Sequence, residues 1–415
     1  MKKQISLILV FALMLSLTAC NRVSASDLMA GISPGAEKEL ADPETGAVAA
    51  ADFGIRLFRA ALREDENTLL SPLSVLYALG MTVNGAQGET LVQMEKVLGM
   101  ESDTLNSFLL AYLDSLPESG DYKLRLANSL WFKDTPSLEV RKSFLQVNAD
   151  YYGAGAYRAA FDEATRNRIN SWVREHTDGM IPKILDQIPE DAVLYLVNAL
   201  AFDARWENVY YENQIRDGVF TSEEGTPRNV KMMHSKERAY LEDEMATGVI
   251  KYYKGRSYAF VALLPKEGVS VSRYMESLDG NQLLELLAKA RNVPVVTGIP
   301  KFETEYSADL GQVLQEMGIT EAFDRETADF SRMGTYGAEN RNLCISQVLH
   351  KTFLSVSEKG TKAGAATVVQ MAPGAAAPGA REEKEVILDR PFVYMLIDCE
   401  TNLPFFIGTM MDPGA

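Results

Sequence analysis

A run of small residues after Glu358 is the part of the sequence whose composition and position suggest a mechanical role. The run begins at Gly360 and closely follows an apolar stretch, Leu343 to Ser357, that is typical of an extended strand. If the run became a strand, alternate side chains would point to opposite faces. One face would present the uncharged residues Thr361, Ala363, Ala365, Thr367 and Val369, as burial requires, and the other Lys362, Gly364, Ala366, Val368 and Gln370. The alternative interpretation is a flexible Ala/Gly linker.

Side chains that catalyse reactions or bind metal ions are sparse in this sequence. The three histidines are His176, His234 and His350, and none has the spacing of a metal-binding motif. The sequence contains no G-x-S-x-G nucleophile elbow and no phosphate-binding loop. We therefore predict no catalytic residues, no enzymatic activity, no metal site and no cofactor.

Composition limits the partners of the chain. With 415 residues, of which 47% are hydrophobic and 24% charged, the protein can bury a large core. The net charge of −16 repels phosphate backbones, so nucleic acid is not an expected partner. No long Pro/Ser-rich or low-complexity break interrupts residues 47–415, and we expect them to form one globular domain.

The N-terminus has the pattern of an export signal. Lys2 and Lys3 precede an apolar run from Ile5 to Leu17, which is too short to span a bilayer. We predict that residues 1–19 are a cleaved signal peptide.

Cys20 ends a sequence that resembles a bacterial lipobox, in which the cysteine thiol is lipidated. Lipidation would anchor the protein outside the cytoplasm, on the cell membrane or cell surface. Residues 20–46 would then form a flexible tether, since they lack an apolar period. The alternative is an ordinary secretory signal followed by a chance cysteine.

Cys344 and Cys399 are the remaining cysteines, and each lies in an apolar run. In an exported chain they could form a disulfide, but a single pair is not a disulfide framework. We favour two buried free thiols.

Helical and extended patterns both occur, without the regular alternation of a parallel α/β protein. Ser71-Pro72 is typical of a helix start, and Gly99 and Gly318 of helix ends. The predicted helices include 89–98, 103–116, 166–176 and 308–317, and the predicted strands 124–132, 193–202, 258–264, 343–357, 386–397 and 405–410. These patterns predict an α+β fold with large antiparallel or mixed sheets covered by helices.

Several segments together resemble the serpin family. The stretch Asn67 to Thr90, N-T-L-L-S-P-L-S-V-L-Y-A-L-G-M-T-V-N-G-A-Q-G-E-T, is similar to the N-terminal serpin signature. Further matches follow in serpin order: Asn198 to Phe202 with Trp206-Glu207, Val230 to Met233, Glu358 to Thr361 with the alanine-rich run, and Pro391-Phe392 to Gly408. The resemblance covers about Val48 to Pro413 and implies the serpin fold.

The resemblance implies an irreversible inhibitor of serine proteases. In serpins the run after Glu358 is the hinge of a reactive-centre loop, here at about residues 358–385. A protease cuts this loop, and the loop then inserts as a new strand of the central sheet. The implied hinge residues are Glu358, Gly360, Thr361, Ala363, Ala365, Ala366 and Thr367.

Two further clusters follow from the resemblance. Ser71, Ser74, Asn198 and His350 match the serpin shutter, a hydrogen-bonded latch beneath the sheet. Trp206, Lys301 and Glu358 match the breach, where the loop first enters. The simpler interpretation of the first cluster is that buried polar groups satisfy one another.

The cleaved bond is predicted from its distance to the hinge. The distance typical of serpins, counted from Glu358, reaches Gly374 and Ala375, whereas counting back from Pro391 gives Ala380. The two counts differ because the loop is longer than usual, and the duplicated motif Ala-Pro-Gly-Ala explains the excess. We favour the bond Gly374-Ala375, which would be a bait for elastase-like or subtilisin-like proteases. The alternative positions are Ala376, Ala377, Ala380 and Arg381. Arg381 would allow cleavage by a trypsin-like protease.

The expected partner is the target protease, in a covalent complex with a monomeric inhibitor. Heparin-type activation is not expected, because Lys96 is the only basic residue from Glu89 to Ser119. The rival function is a non-inhibitory serpin that acts as a lipid-anchored binding or carrier protein.

Overall fold

The computed structural model describes residues 25–35, 44–116, 120–337, 342–361 and 383–414. The α-helices in these ranges are α1 (Glu44–Ala61), α2 (Pro72–Val83), α3 (Gly88–Leu98), α4 (Ser102–Ser115), α5 (Lys142–Tyr152), α6 (Glu163–His176), α7 (Val271–Glu276), α8 (Gly280–Ala288) and α9 (Gly311–Glu316).

The strands follow in the same numbering. They are β1 (Ser26–Asp27), β2 (Leu69–Leu70), β3 (Tyr122–Lys133), β4 (Leu138–Val140), β5 (Gly155–Ala159), β6 (Leu194–Arg205), β7 (Ile215–Thr221), β8 (Pro227–Glu242), β9 (Ala246–Tyr252), β10 (Tyr258–Pro265), β11 (Arg291–Pro300), β12 (Phe302–Asp309), β13 (Gly334–Tyr336), β14 (Gln347–Ser357), β15 (Gly360–Thr361), β16 (Lys384–Ile387), β17 (Phe392–Asp398) and β18 (Pro404–Met410).

The strands of the described residues form two large sheets and one small sheet. The seven-stranded sheet has the order β1-β5-β3-β6-β15-β14-β12, and the nine-stranded sheet has the order β16-β11-β8-β9-β10-β17-β18-β2, with β7 paired to β8. Strands β4 and β13 pair separately. The predicted α+β class with mixed sheets and surrounding helices is confirmed.

The hydrophobic core lies in two parts. The larger part joins the two sheets to the N-terminal helices, and its members include Phe53, Leu76 and Phe260. The smaller part packs Ile169 and Trp172 of α6 onto the outer face of β3 and β6. Both faces of β6 are therefore covered, which explains why most of its residues are apolar on both faces rather than alternately apolar and polar.

Local signals fix the start of α2, which supports the middle of the seven-stranded sheet. Ser71 is its N-cap and accepts a hydrogen bond from the Ser74 amide, and Pro72 occupies the first turn. Every residue of α2 is buried. The predicted stop of α3 at Gly99 is also confirmed, since Gly99 has a left-handed backbone with φ of 75°.

Several predicted elements differ from the structure. The predicted helix 308–317 is wrong at its start, because Ala308 pairs with His350 as part of strand β12. The predicted strand 386–397 is two strands, β16 and β17, which pair with β11 and with β10 and β18. The long strand predicted from Leu343 begins at Gln347.

Residues 25–35 differ from the flexible tether expected there. Ser26–Asp27 pairs with Arg158 and Tyr157 of β5 at the edge of the seven-stranded sheet. The Gly35 amide donates a hydrogen bond of 2.7 Å to Asp150. An unpaired edge strand offers free backbone donors and acceptors, which explains why a polar segment can bind there.

Cys344 and Cys399 are free thiols, as the favoured interpretation predicted. Cys344 is buried, but Cys399 is only partly buried. Burial raises the pKa of the Cys399 thiol to about 12.

Candidate functional site

The hinge strand β15 occupies the upper end of the seven-stranded sheet, which we define as the end near Ala204 and Arg205. Gly360 and Thr361 pair antiparallel with Arg205 and Ala204 of β6 on one side. On the other side they pair antiparallel with Ser357 and Val356 of β14. The first two residues of the predicted inserting segment thus already lie between two sheet strands.

Gly360 fits this position because it has no side chain. Its φ is +151°, and a Cβ placed on it would lie 2.0 Å from the backbone oxygen of Ala204. Real Cβ atoms do not approach an oxygen so closely. A larger residue would force β15 away from β6.

Thr361 points inward and has no exposed surface. Its hydroxyl forms a hydrogen bond with the hydroxyl of Tyr253, which is also fully buried. Tyr253 stacks on Trp206 with a centroid distance of 4.5 Å and an interplanar angle of 9°. Burial raises the pKa of Tyr253, so the tyrosine remains neutral and can donate or accept.

Trp206 lies beside the hinge, as the serpin breach implies. Its indole Nε1 donates a hydrogen bond of 2.8 Å to the backbone oxygen of Ser357, and its amide donates one of 3.0 Å to the backbone oxygen of Lys359. The Tyr210 amide donates a further bond of 2.9 Å to the backbone oxygen of Glu358. Three consecutive residues where β14 leads into the hinge, Ser357 to Lys359, are therefore held by the chain that follows β6.

Lys301 and Glu358 form the expected ion pair, with Nζ 2.7 Å from Oε2. The hydrogen bond from Lys301 holds the pKa of the Glu358 carboxyl below its usual value. About a third of each side chain is exposed. Solvent screening limits such a pair to under about 1 kcal/mol, so backbone contacts contribute more to holding the hinge.

A buried ion pair beneath Trp206 was missed by the sequence analysis. Lys251 is 1% exposed and lies 2.6 Å from Glu237, with its Nζ 4.4 Å from the ring centroid of Tyr210. Burial alone would lower the pKa of Lys251, but Tyr210 and Glu237 outweigh it and the pKa is raised. No sequence signal identifies this lysine, because the sequence of β9 is typical of a strand with one face exposed to solvent.

The four predicted shutter residues lie together beneath the middle of the sheet. His350 of β14 is the direct neighbour of Asn198 of β6 in the parallel register. Its Nδ1 lies 2.9 Å from Asn198 Oδ1, and the Ser71 amide donates a 3.1 Å hydrogen bond to its Nε2. The Ser74 hydroxyl donates a 2.5 Å bond to Asn198 Oδ1. The cluster joins both strands to the start of α2.

The protonation state of His350 follows from these partners. Because Nε2 accepts from Ser71, the ring proton lies on Nδ1 and is donated to Asn198. Burial lowers the pKa of His350 to about 3, so the imidazole is neutral at physiological pH.

Asn128 extends the cluster and was also missed. Asn128 of β3 is the direct cross-strand neighbour of Asn198 of β6. The side-chain Nδ2 of Asn198 donates a 2.7 Å hydrogen bond to the side-chain oxygen of Asn128. A polar residue within the apolar strand 124–132 was a usable signal, the same one that marked Asn198.

The remaining predicted site residues lie outside the described residues. They are the hinge residues Ala363, Ala365, Ala366 and Thr367, the bait candidates Gly374, Ala375, Ala376, Ala377, Ala380 and Arg381, and the lipidation candidate Cys20.

Comparison with known proteins gives a consistent result. A family model described as "Serpin (serine protease inhibitor)" matches residues 48–413. An uncharacterised serpin-like protein of Thermococcus kodakarensis is 33% identical, over 87% of this chain and 84% of that protein. The leukocyte elastase inhibitor of Equus caballus is 30% identical, over 87% of this chain and 97% of its own.

Solved structures agree. The native state of tengpin, a thermophilic serpin, is 43% identical and superposes with a TM-score of 0.89 over 94% of this chain and 100% of that one. The latent state of tengpin gives a TM-score of 0.78. The present arrangement of strands therefore resembles the native state more than the latent state.

Proposed function

The chain belongs to the serpin family, whose members are generally protease inhibitors rather than enzymes, and on that premise we propose that it inhibits serine proteases irreversibly, as a suicide substrate. A target protease cleaves the bait that follows Thr361 and remains attached to it as an acyl-enzyme. The hinge then continues into the sheet and carries the protease with it before the ester is hydrolysed.

The observation that carries this proposal is the position of β15. Gly360 and Thr361 are antiparallel to both β6 and β14, which is the orientation that a longer inserted strand requires. Direct pairing of β6 with β14 is confined to Tyr195–Leu200 and Gln347–Thr352. Further insertion would therefore separate six residue pairs and the shutter bonds between Asn198 and His350.

Simple magnitudes show that insertion can trap a protease. A strand from Gly360 to Gly374 would be about 50 Å long at about 3.3 Å per residue. With about 1 kcal/mol for each new ladder hydrogen bond, insertion would release on the order of 10 kcal/mol. The native state is then metastable and persists because of a kinetic barrier.

We propose Gly374-Ala375 as the cleaved bond and an elastase-like or subtilisin-like protease as the target. The residues around this bond are small, which suits the narrow pockets of such enzymes. The similarity to a leukocyte elastase inhibitor points the same way.

We further propose that the mature protein is a monomer anchored outside the cytoplasm through lipid on Cys20. The described helices include none that is both long and apolar enough to cross a membrane. Ser26 pairs with Arg158 of β5, which is level with Phe132 of β3 and Leu194 of β6 across the sheet. Leu194 lies at the opposite end of β6 from the hinge, about 33 Å from the level of Thr361 at about 3.3 Å per residue. An anchor that precedes Ser26 would therefore direct the hinge away from the membrane.

The decisive experiment mixes the protein with a panel of serine proteases and examines the products on a denaturing gel. An inhibitory serpin gives a heavier, denaturant-resistant band that contains both proteins. Cleavage by every protease of the panel without such a band would assign the protein to the binding or carrier class instead. Anchoring is tested separately, by labelling with a fatty acid and comparing wild type with Cys20→Ser.

A further inference from the structure

The lower end of the boundary between β6 and β14 is closed by a second set of bonds, distinct from the shutter and the breach. Ser346 lies one residue before β14. Its amide donates a 3.0 Å hydrogen bond to the backbone oxygen of Leu194. Its hydroxyl oxygen accepts bonds of 2.9 Å from the Val193 amide and 3.4 Å from the Leu194 amide.

An ion pair reinforces this closure. Arg325 donates from Nη2 to the Asp191 carboxylate at 2.5 Å and to the Asp191 backbone oxygen at 3.3 Å. The backbone oxygen of Arg325 accepts a 2.9 Å bond from Asn342, which precedes β14. Arg325 therefore ties the chain before β6 to the chain before β14. We call Asp191, Val193, Leu194, Arg325 and Ser346 the lower clasp.

The two strand registers predict where an inserting strand would meet the lower clasp. Thr361 faces Ala204 on β6, and each further residue moves one position back along β6, so Met371 would face Leu194. On β14, Thr361 faces Val356, and the same count brings Met371 opposite Ser346. Both registers therefore meet at the hydrogen bonds between Ser346 and Leu194. A strand can advance to Gln370 without disturbing them and must break them to advance further.

Space for the end of such a strand is present beside the clasp. A cavity of about 200 Å³ is lined by Asp191, Arg325 and Gln347 together with neighbouring residues. The side-chain oxygen of Gln347 is buried there and has no hydrogen-bond partner among the described residues. An incoming backbone amide would supply the missing donor.

We propose that the lower clasp is a late brake on strand insertion, opened only by the last residues of the inserting strand. This inference rests on the proposed function, because it assigns Ser346 and Arg325 a positioning role in the same movement. In the native protein the clasp would oppose spontaneous complete insertion. After cleavage the clasp would slow the last step of insertion. It would therefore determine the fraction of acyl-enzymes that are hydrolysed before the protease has been carried to the lower end of the sheet.

The test compares Ser346→Ala and Arg325→Gln with matched controls remote from this boundary. Ser277→Ala removes a hydroxyl that donates to Tyr274 near α7, and Lys289→Gln removes an exposed ion pair with Glu285 at the end of α8. The first measurement needs no target protease. It is the rate at which native protein, held at elevated temperature, converts to a heat-resistant form.

Ser346→Ala removes a hydrogen-bond acceptor and should accelerate this conversion about five-fold, as expected for the loss of one net hydrogen bond. Arg325→Gln removes an exposed ion pair and should accelerate the conversion about two-fold. Ser346→Thr keeps the hydroxyl and should restore the wild-type rate. Inhibition should need fewer inhibitor molecules per trapped protease in Ser346→Ala. A merely structural role would lower the denaturant midpoint but leave the number of inhibitor molecules per trapped protease unchanged.

Conversion of both clasp variants at the rate of their controls would overturn the proposal. The outcome is separable from that of the proposed function. If wild type traps no protease at all, the inhibitor assignment fails, whereas the conversion rates still report whether the clasp restrains the strand.

Discussion

The hydroxyl groups of Thr361 and Tyr253 are hydrogen-bonded to each other inside the seven-stranded sheet. This contact means that the hinge does not start from outside the sheet. Its first inward-facing position is already buried, between β6 and β14. Continued insertion therefore extends an existing strand, which avoids the cost of nucleating a new one in a closed sheet.

Replacing Thr361 with arginine should convert the inhibitor into a substrate. The guanidinium would have to enter a fully buried position beside Tyr253 and Trp206, where an unpaired charge costs several kcal/mol. Insertion would slow while the bait remains unchanged, so hydrolysis of the acyl-enzyme would overtake trapping. The measurement is the ratio of complex to cleaved inhibitor on a denaturing gel.

Lys359→Arg is the control for this change, because it adds a guanidinium at a partly exposed hinge position and preserves the charge. It should leave trapping unchanged. Cleaved wild type should resist heat far better than native protein, and cleaved Thr361→Arg should gain less. Wild-type trapping by Thr361→Arg would show that this segment does not insert.

Gly360→Ala should expel the hinge strand from the sheet. The added methyl would lie 2.0 Å from the Ala204 oxygen, and alanine disfavours a φ of +151°. We expect a rise in the number of inhibitor molecules consumed per protease trapped. Gly120→Ala is a suitable control, since a methyl group added there would have no neighbouring atom within 4 Å. Equal trapping by the two variants would contradict the close approach of β15 to β6.

The shutter shows how far sequence can predict a site in this protein. Ser71, Ser74, Asn198 and His350 are polar residues in apolar segments, and the structure brings all four together. A buried polar group needs partners, so such residues tend to find one another. The same rule applied to Asn128 would have completed the cluster.

Contacts that depend on strand register were beyond prediction from the sequence. Tyr253 reaches Thr361, and Lys251 reaches the rings of Trp206 and Tyr210, only in the observed register of β9, because a single-residue shift would turn both side chains to the other face. The pairing of Ser26–Asp27 with β5 depends on a free sheet edge, not on any apolar pattern in residues 25–35. The wrong helix start at Ala308 has the same origin, since pairing with β14 outweighs local helical spacing.

The native protein should lose stability as the pH falls below about 6.5. His350 has a pKa of about 3 in the folded state, against an ordinary value of 6.5, so the unfolded chain binds a proton that the folded chain excludes. The loss of stability caused by His350 is absent above its ordinary pKa and grows as the pH falls toward its pKa in the folded protein. Between pH 7.5 and pH 5 the loss should be on the order of 2 kcal/mol.

His350→Gln provides the comparison, because an amide can accept from Ser71 and donate to Asn198 without titrating. Its free energy of unfolding, measured in denaturant at both pH values, should change less than that of wild type. Identical pH dependence in the two proteins would mean that other groups govern the acid response.

The two ion pairs near the hinge should differ sharply in their contribution. Glu237→Gln leaves Lys251 charged and buried without its carboxylate partner, which should destabilise the native state by about 3 kcal/mol or more. Lys301→Gln removes a partly exposed pair and should cost under about 1 kcal/mol. Denaturant unfolding of both variants measures this difference, and similar losses would contradict the assigned burial.

The position of the cleaved bond provides the last prediction. If trapping depends on the length of strand that inserts, the distance from the hinge must decide which cleavage is productive. The peptide released from the trapped complex should then begin between Ala375 and Ala377, as determined by N-terminal sequencing. Cleavage after Arg381 would add seven residues beyond Gly374, or about 23 Å of strand at about 3.3 Å per residue. A trapped complex whose peptide begins at Glu382 would therefore make Arg381 the specificity residue and exclude the elastase-like assignment.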